Sequence, residues 1–588
     1  MATLLDLIES AARRYGDRPA IGLRRDDGST WQWTYRELEW RSRVAAWRLA
    51  RLDLEPDARI LTWSLSTPAL VAVYFGAMRA RLIYVPIDMG MAPSAIQRII
   101  ERSEACHLVL GTGRGAPDPA AAGLEEFPTS LVEDLTADPD GSFPPDWEQQ
   151  VAAWPRPADD DVFELVFTSG TTGTPKGVML AHDRIYQTVE SIHKVVPPMR
   201  HRLTSILPLS HLYEQAVGTF YTLDVGADIL QVRSRQPRIL AEAIRRHRTT
   251  TMILVPQLLD LFWTGLEREI ERTGRTKSFA RLRGIARHFP LAVRRWLFRS
   301  VHRQFLGTDF RLVVSIGAYL PPALQLAWED LGIIVLQGYG STETAFGTGN
   351  RLHDRGPGTV GRTVPPFEIR IAPDGEVLFR GPTLFKGYWK DPEATAAVFD
   401  DEGWYHTGDA GRFDAAGRLV LQGRTRDMIV LPNGFNVFPE DVEKALRDAG
   451  IRESVVLQTR PGRIEAIVLA PDRPVIPGTT ESDGLAAMTD PSDVAARIDA
   501  AVKAANATLG INQRIDGWRL WPGDDFPRTH TYKVKRDLVR AWVSVSGTAP
   551  EEHAGQAPPD APEPEAVGGG RRRAHLGRRR APRPGAGQ

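Results

Sequence analysis

Thr168-Ser169-Gly170-Thr171-Thr172-Gly173-Thr174-Pro175-Lys176-Gly177 separates two segments, the mostly apolar run 162–167 and the run 178–180. Short apolar runs bounded by turn residues predict two buried strands with a loop between them. Glycines let a backbone approach a ligand closely and turn its N–H groups inward. The hydroxyls add donors, and Lys176 adds a mobile positive charge. That combination suits a polyphosphate, although a plain Gly/Thr-rich hairpin loop has the same composition. A Walker A loop does not fit. Counted from Gly170, its second glycine falls on Pro175, Gly177 stands where Ser or Thr is required, and no helix opens at the lysine.

A second stretch, Val335-Leu336-Gln337-Gly338-Tyr339-Gly340-Ser341-Thr342-Glu343-Thr344, reads as a strand ending in a Gly-rich turn. Tyr339 offers a stacking face, Ser341 and Thr342 offer phosphate donors, and Glu343 offers an oxygen ligand for Mg2+. That ion takes one or two carboxylates together with substrate phosphates. A solvated turn glutamate is the alternative for Glu343 alone.

Together the two stretches resemble the S-G-T-T-G-x-P-K-G and Y-G-x-T-E patterns of the adenylate-forming superfamily, which holds acyl-CoA synthetases, luciferases and peptide-synthetase adenylation domains. The resemblance covers roughly residues 1–545 and implies an α/β fold. A large N-terminal adenylation domain, 1–424, would comprise two α/β subdomains and a β-rich subdomain. A small mobile α+β lid, 425–545, would follow, and then a disordered Pro/Arg-rich tail, 546–588.

The resemblance also implies roles. Thr168, Ser169, Gly170, Thr171, Thr172, Gly173 and Lys176 would hold the β/γ-phosphates of ATP. Gly338, Tyr339, Gly340 and Ser341 would line the nucleotide site, and Thr342 and Glu343 would act in catalysis. Gly317 and Ala318 would form one wall of the adenine slot, in a segment where Ile316 and Tyr319 replace the family's Gly and Pro. Asp409, in Thr407-Gly408-Asp409, reads on its own as a turn aspartate bonded to its own backbone; the resemblance makes it a ribose ligand, and Arg424 would bind ribose and phosphate. Arg426 takes the hinge position, where Lys or Asp is commoner. The loop at Gly434 would meet the pantetheine arm of CoA. Phe526-Pro527-Arg528-Thr529-His530-Thr531-Tyr532-Lys533 aligns Lys533 with the family's catalytic lysine, with Tyr532 in place of glycine. His211, in a Pro-bounded turn near Tyr213, is a structural histidine on its own; the resemblance puts it beside the acyl carboxylate with no acid/base duty.

The implied activity is ATP-dependent conversion of a long-chain fatty acid to acyl-AMP, with pyrophosphate release, and then transfer to CoA. A fatty acyl-AMP ligase loading a separate carrier protein shares these motifs, as does a luciferase-like oxidation. A nucleotide binder without turnover would rest on the departures at Tyr319, Arg426 and Tyr532.

Composition sets the frame. At 588 residues the chain is too long for one core. Balanced charge, 73 Lys+Arg against 73 Asp+Glu, argues against a globally basic nucleic-acid binder. One cysteine, Cys106, excludes an internal disulfide and a Cys-based metal cluster, and its setting predicts a buried structural thiol. The N-terminus lacks a basic stretch followed by a long apolar run, so a cytoplasmic protein is expected. A basic insertion at 265–309 stands out. Residues 272–303 carry ten Lys/Arg and no Asp or Glu, interleaved with Phe289, Val293, Trp296 and other apolar residues. Such a pattern fits either a helix on an anionic membrane surface, here the inner face, or a solvated basic face over a core stripe. Residues 111–161, rich in Pro, Asp, Ala and Gly, read as a long surface connection with one short helix.

Overall fold

The computed structural model describes residues 2–169, 175–234, 236–433, 435–460, 462–470, 491–528 and 533–546. Gly170, Thr171, Thr172, Gly173, Gly434, Tyr532 and the tail from 547 onward lie outside the described residues.

Two large sheets carry the N-terminal part. One has six strands in the order Thr129–Leu131, His107–Leu110, Arg59–Trp63, Ile83–Ile87, Val162–Ser169 and Pro175–Ala181. All its pairings are parallel except the last, which is the antiparallel hairpin of the Thr168 stretch. The other has nine strands, with Thr251–Leu254, Leu312–Ser315 and Ile334–Tyr339 parallel at its centre. Helices cover both sheets, as parallel strands require. The helix Pro68–Arg79 is buried along its whole length, and its Arg79 is neutralised by Glu9 and Glu39, each at 2.8 Å. Local chemistry starts the helices. Thr34 and Glu37 form a reciprocal cap, with Glu37 N–H donating to Thr34 Oγ1 at 3.1 Å and Thr34 N–H to Glu37 Oε2 at 2.7 Å.

An antiparallel sheet of Glu368–Ile371, Glu376–Arg380, Tyr405–Phe413 and Leu419–Arg424 follows. Beyond it a separate apolar cluster gathers Ile429, Val437, Val442, Leu446, Val456 and Ile498. It packs around the strands Ser454–Arg460, Arg463–Val468 and Gly517–Leu520 and the helices Pro439–Asp448 and Pro491–Thr508. The architecture is therefore the mixed α/β fold expected, with a small α+β unit at the C-terminal end.

Three expectations need correction. Residues 111–161 are more than a surface connection, because Thr129–Leu131 pairs with His107–Leu110 and two helices form, Val132–Thr136 and Trp147–Ala153. The segment holding Asp409 is a strand and not a turn. Cys106 is exposed and not buried: it takes the outward place between buried Ala105 and His107, and its N–H donates to Arg59 O at 3.0 Å.

Two carboxyls are buried near the centre. Glu164 accepts from the Tyr74 hydroxyl at 2.6 Å and from Gln215 Nε2 at 2.7 Å, and burial pushes it up to about 7. Glu214 opens the π-helical turn Glu214–Tyr221 and accepts from the Ser205 hydroxyl at 2.5 Å. Burial pushes Glu214 up to about 8 from an ordinary 4.5, against the lowering pull of that hydroxyl. Folded Glu214 thus keeps a proton that the unfolded chain has released between pH 4.5 and about 8. Its contribution to stability is complete below that window and is lost as pH rises through it. Glu164 adds the same sign. Glu214→Gln is expected to flatten the fall in urea midpoint between about pH 6 and about pH 8. A slope equal to that of the wild type would refute the assignment.

Candidate active site

The hairpin sets the first group. Antiparallel register places Thr168 directly opposite Lys176, so both side chains leave the same face at the loop. The segment 386–389 then runs along the second hairpin strand. Lys386 N–H donates to Met179 O at 3.1 Å, Met179 N–H to Gly387 O at 3.0 Å, and Trp389 N–H to Gly177 O at 2.7 Å. This pairing delivers Tyr388, whose ring centroid lies 4.8 Å from Lys176 Nζ. The Tyr388 hydroxyl donates to Glu343 Oε1 at 3.1 Å. Lysine, phenol and carboxylate thus form one line from the hairpin to the Gly-rich turn.

That turn ends the strand Ile334–Tyr339. Ser341 N–H donates to Thr344 Oγ1 at 2.8 Å and Thr344 N–H to Ser341 Oγ at 3.3 Å. The Ser341 hydroxyl therefore holds the turn closed, an engagement that its reading as a phosphate donor did not include. Thr342 and Glu343 project from the same turn and line the cleft.

Asp409 and Arg424 are cross-strand partners, with Arg424 Nε 2.8 Å from Asp409 Oδ1. The Tyr339 hydroxyl donates to Asp409 Oδ2. Lys533 lies close enough to sense both charges. Loss of solvent pushes its ammonium below the ordinary lysine range, Arg424 adds to that shift, and Asp409 opposes it. Gly317 adopts φ +95°, a left-handed conformation that favours glycine, and with Ala318 it lines the same space.

His211 faces Asp88, Nε2 to Oδ2 at 3.4 Å, and the Ser210 hydroxyl donates to the same oxygen at 3.1 Å. Asp88 ends the strand Ile83–Ile87, and its other oxygen accepts from Gly90 N–H at 2.9 Å. Asp88 was not among the sequence candidates, because its partner is remote in sequence. Tyr388 was missed for the same reason: its role comes from backbone pairing with the hairpin.

One cleft of about 2880 Å3 contains these groups. It runs from Thr168 and Lys176 past Tyr339, Glu343, Asp409 and Arg424 to Arg426 and Lys533, with His211 on its wall. Leu212, Val217, Val255, Leu258, Trp263 and Ala327 give it an apolar stretch of lining. Chemically the cleft joins a phosphate-type hairpin, a carboxylate suited to a diol, the cation Lys533 and an apolar stretch of lining. Among the described residues, Asn433 and Phe435, the neighbours of Gly434, are not part of its lining, whereas Lys533 is.

Residues 8–389 match the family model of AMP-binding enzymes. The long-chain-fatty-acid–CoA ligase FadD15 of Mycobacterium bovis is 29% identical over 540 residues, covering 84% of this chain and 88% of that protein. The 3-[(3aS,4S,7aS)-7a-methyl-1,5-dioxo-octahydro-1H-inden-4-yl]propanoyl:CoA ligase of Mycobacterium tuberculosis is 30% identical over 439 residues, 70% of this chain and 78% of that one. Among solved structures, the o-succinylbenzoate coenzyme A synthetase MenE of Bacillus subtilis, in complex with ATP and magnesium ion, superposes with a TM-score of 0.69 at 19% identity, covering 91% of this chain and 99% of that chain.

Proposed function

The chain belongs to the AMP-binding enzyme family as an adenylate-forming acyl-CoA ligase, and we propose that its carboxylate substrate is a long-chain fatty acid. The observation that carries this reading is that the apolar residues Leu212, Val217, Val255, Leu258 and Trp263 line the same cavity as Lys176, Asp409 and Lys533. The name of the FadD15 relative supports it, whereas the name of the other relative gives a ring-bearing substrate.

A carboxylate is a poor acyl donor because oxide would have to leave. In the proposed first step its oxygen attacks the α-phosphorus of ATP, the bond to the β-phosphate bridge breaks, and pyrophosphate departs. Charge grows on the phosphorus and on the leaving group, and aimed positive groups stabilise it. Thr168, Lys176 and the loop between them would hold the departing pyrophosphate. Asp409 and Arg424 would fix the ribose, and Lys533 would bridge the carboxylate and α-phosphate. Glu343, whose carboxylate has only the Tyr388 hydroxyl as a side-chain hydrogen-bond partner among the described residues, fits a Mg2+ ligand. The bound ion would neutralise phosphate charge. In the second step the CoA thiolate attacks the acyl carbonyl and AMP leaves. We propose that units 1–424 and 425–545 reorient about Arg426 between the steps, bringing the Gly434 loop to the cleft. His211, held by Asp88, would border the carboxylate.

Incubation with ATP, Mg2+, palmitate and CoA tests this. AMP release that depends on CoA is expected. Acyl-AMP that accumulates and ignores CoA would point to a carrier-protein acceptor, and absence of pyrophosphate exchange with fatty acids of every length would overturn the reading.

Delivery from a lipid surface belongs to the same proposal. Ile285, Phe289, Val293 and Trp296 are exposed, Trp296 by 61%. In the same stretch Arg275, Lys277, Arg281 and Arg303 enter no ion pair among the described residues. Arg283, on the helix Thr276–Ala286 with Ile285, lines the cleft. Exposed apolar side chains interspersed along the chain with cations fit the inner, anionic leaflet. No helix of the described residues is long and apolar enough to cross a membrane. Cosedimentation with phosphatidylserine vesicles but not phosphatidylcholine vesicles is expected, and Trp296→Glu should weaken it. Equal recovery with both vesicle types would refute the contact.

A further inference from the structure

We propose that the acidic face of the helix Pro256–Arg272 is a seat that holds the C-terminal unit in its Lys533-in orientation, through Arg452 and Arg447. The inference rests on the two-step reading above and adds the contact that biases which step the enzyme is set for.

Asp260, Thr264, Glu267 and Glu271 recur at three- and four-residue spacing, so they share one face of that helix. Asp260, Thr264, Glu267 and Glu271 all line the cleft. Lys444, Arg447 and Arg452 line it from the other side, on and just after the helix Pro439–Asp448. Acid therefore faces base across the gap. Contact is made at two points. Arg452 Nη1 donates to Thr264 Oγ1 at 3.0 Å, while its Nη2 lies 3.4 Å from Glu267 Oε2. The Arg447 guanidinium stands 5.8 Å from the ring centroid of Tyr319, within reach of a cation–π attraction. Tyr319 occupies the place where the resemblance calls for proline, so this second point is a property of this chain. Asp260 sits between the two: burial raises its carboxyl, and Arg452 is the first of the nearby charges that oppose the rise.

The strength of these contacts matters as much as their presence. Exposed ion pairs are individually weak and are screened by salt. Arg452 and Glu267 are both more than a third exposed. A seat made of such pairs tilts an equilibrium without locking it. A unit that must leave after the first half-reaction needs that property, since a ligand can shift a population only by its differential affinity for the two orientations.

The test is a charge reversal and its rescue. Arg452→Glu places like charges together at Glu267 and is expected to lower ATP–pyrophosphate exchange about tenfold relative to thioester formation from supplied acyl-AMP. Adding Glu267→Arg should restore the ratio, which a merely misfolded variant could not do. An unchanged ratio in Arg452→Glu, or a double variant no better than the single one, overturns the seat. Small-angle scattering of the full chain gives a readout independent of turnover. Arg452→Glu should enlarge the radius of gyration, as should raising salt from about 0.05 M to about 0.5 M for the wild type. Identical dimensions would overturn the seat. A wild type that expands as expected yet exchanges no pyrophosphate would instead overturn the functional reading and leave the seat standing.

Discussion

Lys533→Ala is expected to reduce pyrophosphate exchange by about a hundredfold or more, while thioester formation from supplied acyl-AMP falls by less than about tenfold. The asymmetry follows from where charge develops. In the first step negative charge builds between the carboxylate oxygen and the α-phosphorus, and a cation held there stabilises it. Lys533 shares the cleft with Asp409 and Arg424 and is displaced from the ordinary lysine range by lost solvation. The second step needs an exposed acyl carbonyl and a thiolate, and a lysine bridging to phosphate contributes little to that attack. Lys533→Arg should rescue poorly, because a planar guanidinium does not reproduce a compact ammonium. The shifted ammonium also predicts that exchange falls on the alkaline side below the ordinary lysine value of 10.5. Equal losses in both half-reactions would contradict the assignment.

What the sequence disclosed, and what it withheld, follows from the range over which each signal acts. The helix Leu4–Tyr15 and the strand Ile83–Ile87 were legible because a buried face imposes a local period. The Thr34–Glu37 cap was legible because both partners lie within one turn. The strand Tyr405–Phe413 was not, since Thr407, Gly408 and Asp409 interrupt its apolar pattern and its pairing comes from Glu376–Arg380 and Leu419–Arg424. Site residues divide the same way. Thr168, Lys176 and Glu343 stand in contiguous motifs. Tyr388 and Asp88 carry no motif, and each gains its place from a partner more than a hundred positions away or from a remote strand. Cys106 shows the limit of inference from neighbours: the strand-like run 107–110 after it suggested burial, but alternation along the chain turned its side chain outward.

Gly340→Ala should be nearly as damaging as loss of Lys533, for a reason that lies in the backbone. A methyl group at Gly340 would stand 1.9 Å from the carbonyl oxygen of Ala345 and 2.8 Å from its carbonyl carbon. Both are main-chain atoms, so no rotamer change relieves the clash and the turn 341–344 must open. That turn is closed by the reciprocal Ser341–Thr344 bonds and by Gly347 N–H donating to Tyr339 O at 3.1 Å. Opening it displaces Glu343 from Tyr388, and Thr342 with it. It also strains the bond from Phe385 N–H to Glu343 O, 2.8 Å long. A misplacement of about 1 Å in a reacting constellation costs on the order of a hundredfold, which sets the expected loss in pyrophosphate exchange. The core strand Ile334–Tyr339 lies before the turn and keeps its partner Leu312–Ser315, so circular dichroism should remain close to that of the wild type. Gly284→Ala is the matched control: nothing lies within 4 Å of its added methyl, and it sits in the helix Thr276–Ala286. It should leave exchange unchanged and add up to about 1 kcal/mol of helix stability. If Gly340→Ala retained exchange within about threefold of the wild type, the turn would be too pliant to position Glu343, and the glycine would owe its place to packing alone.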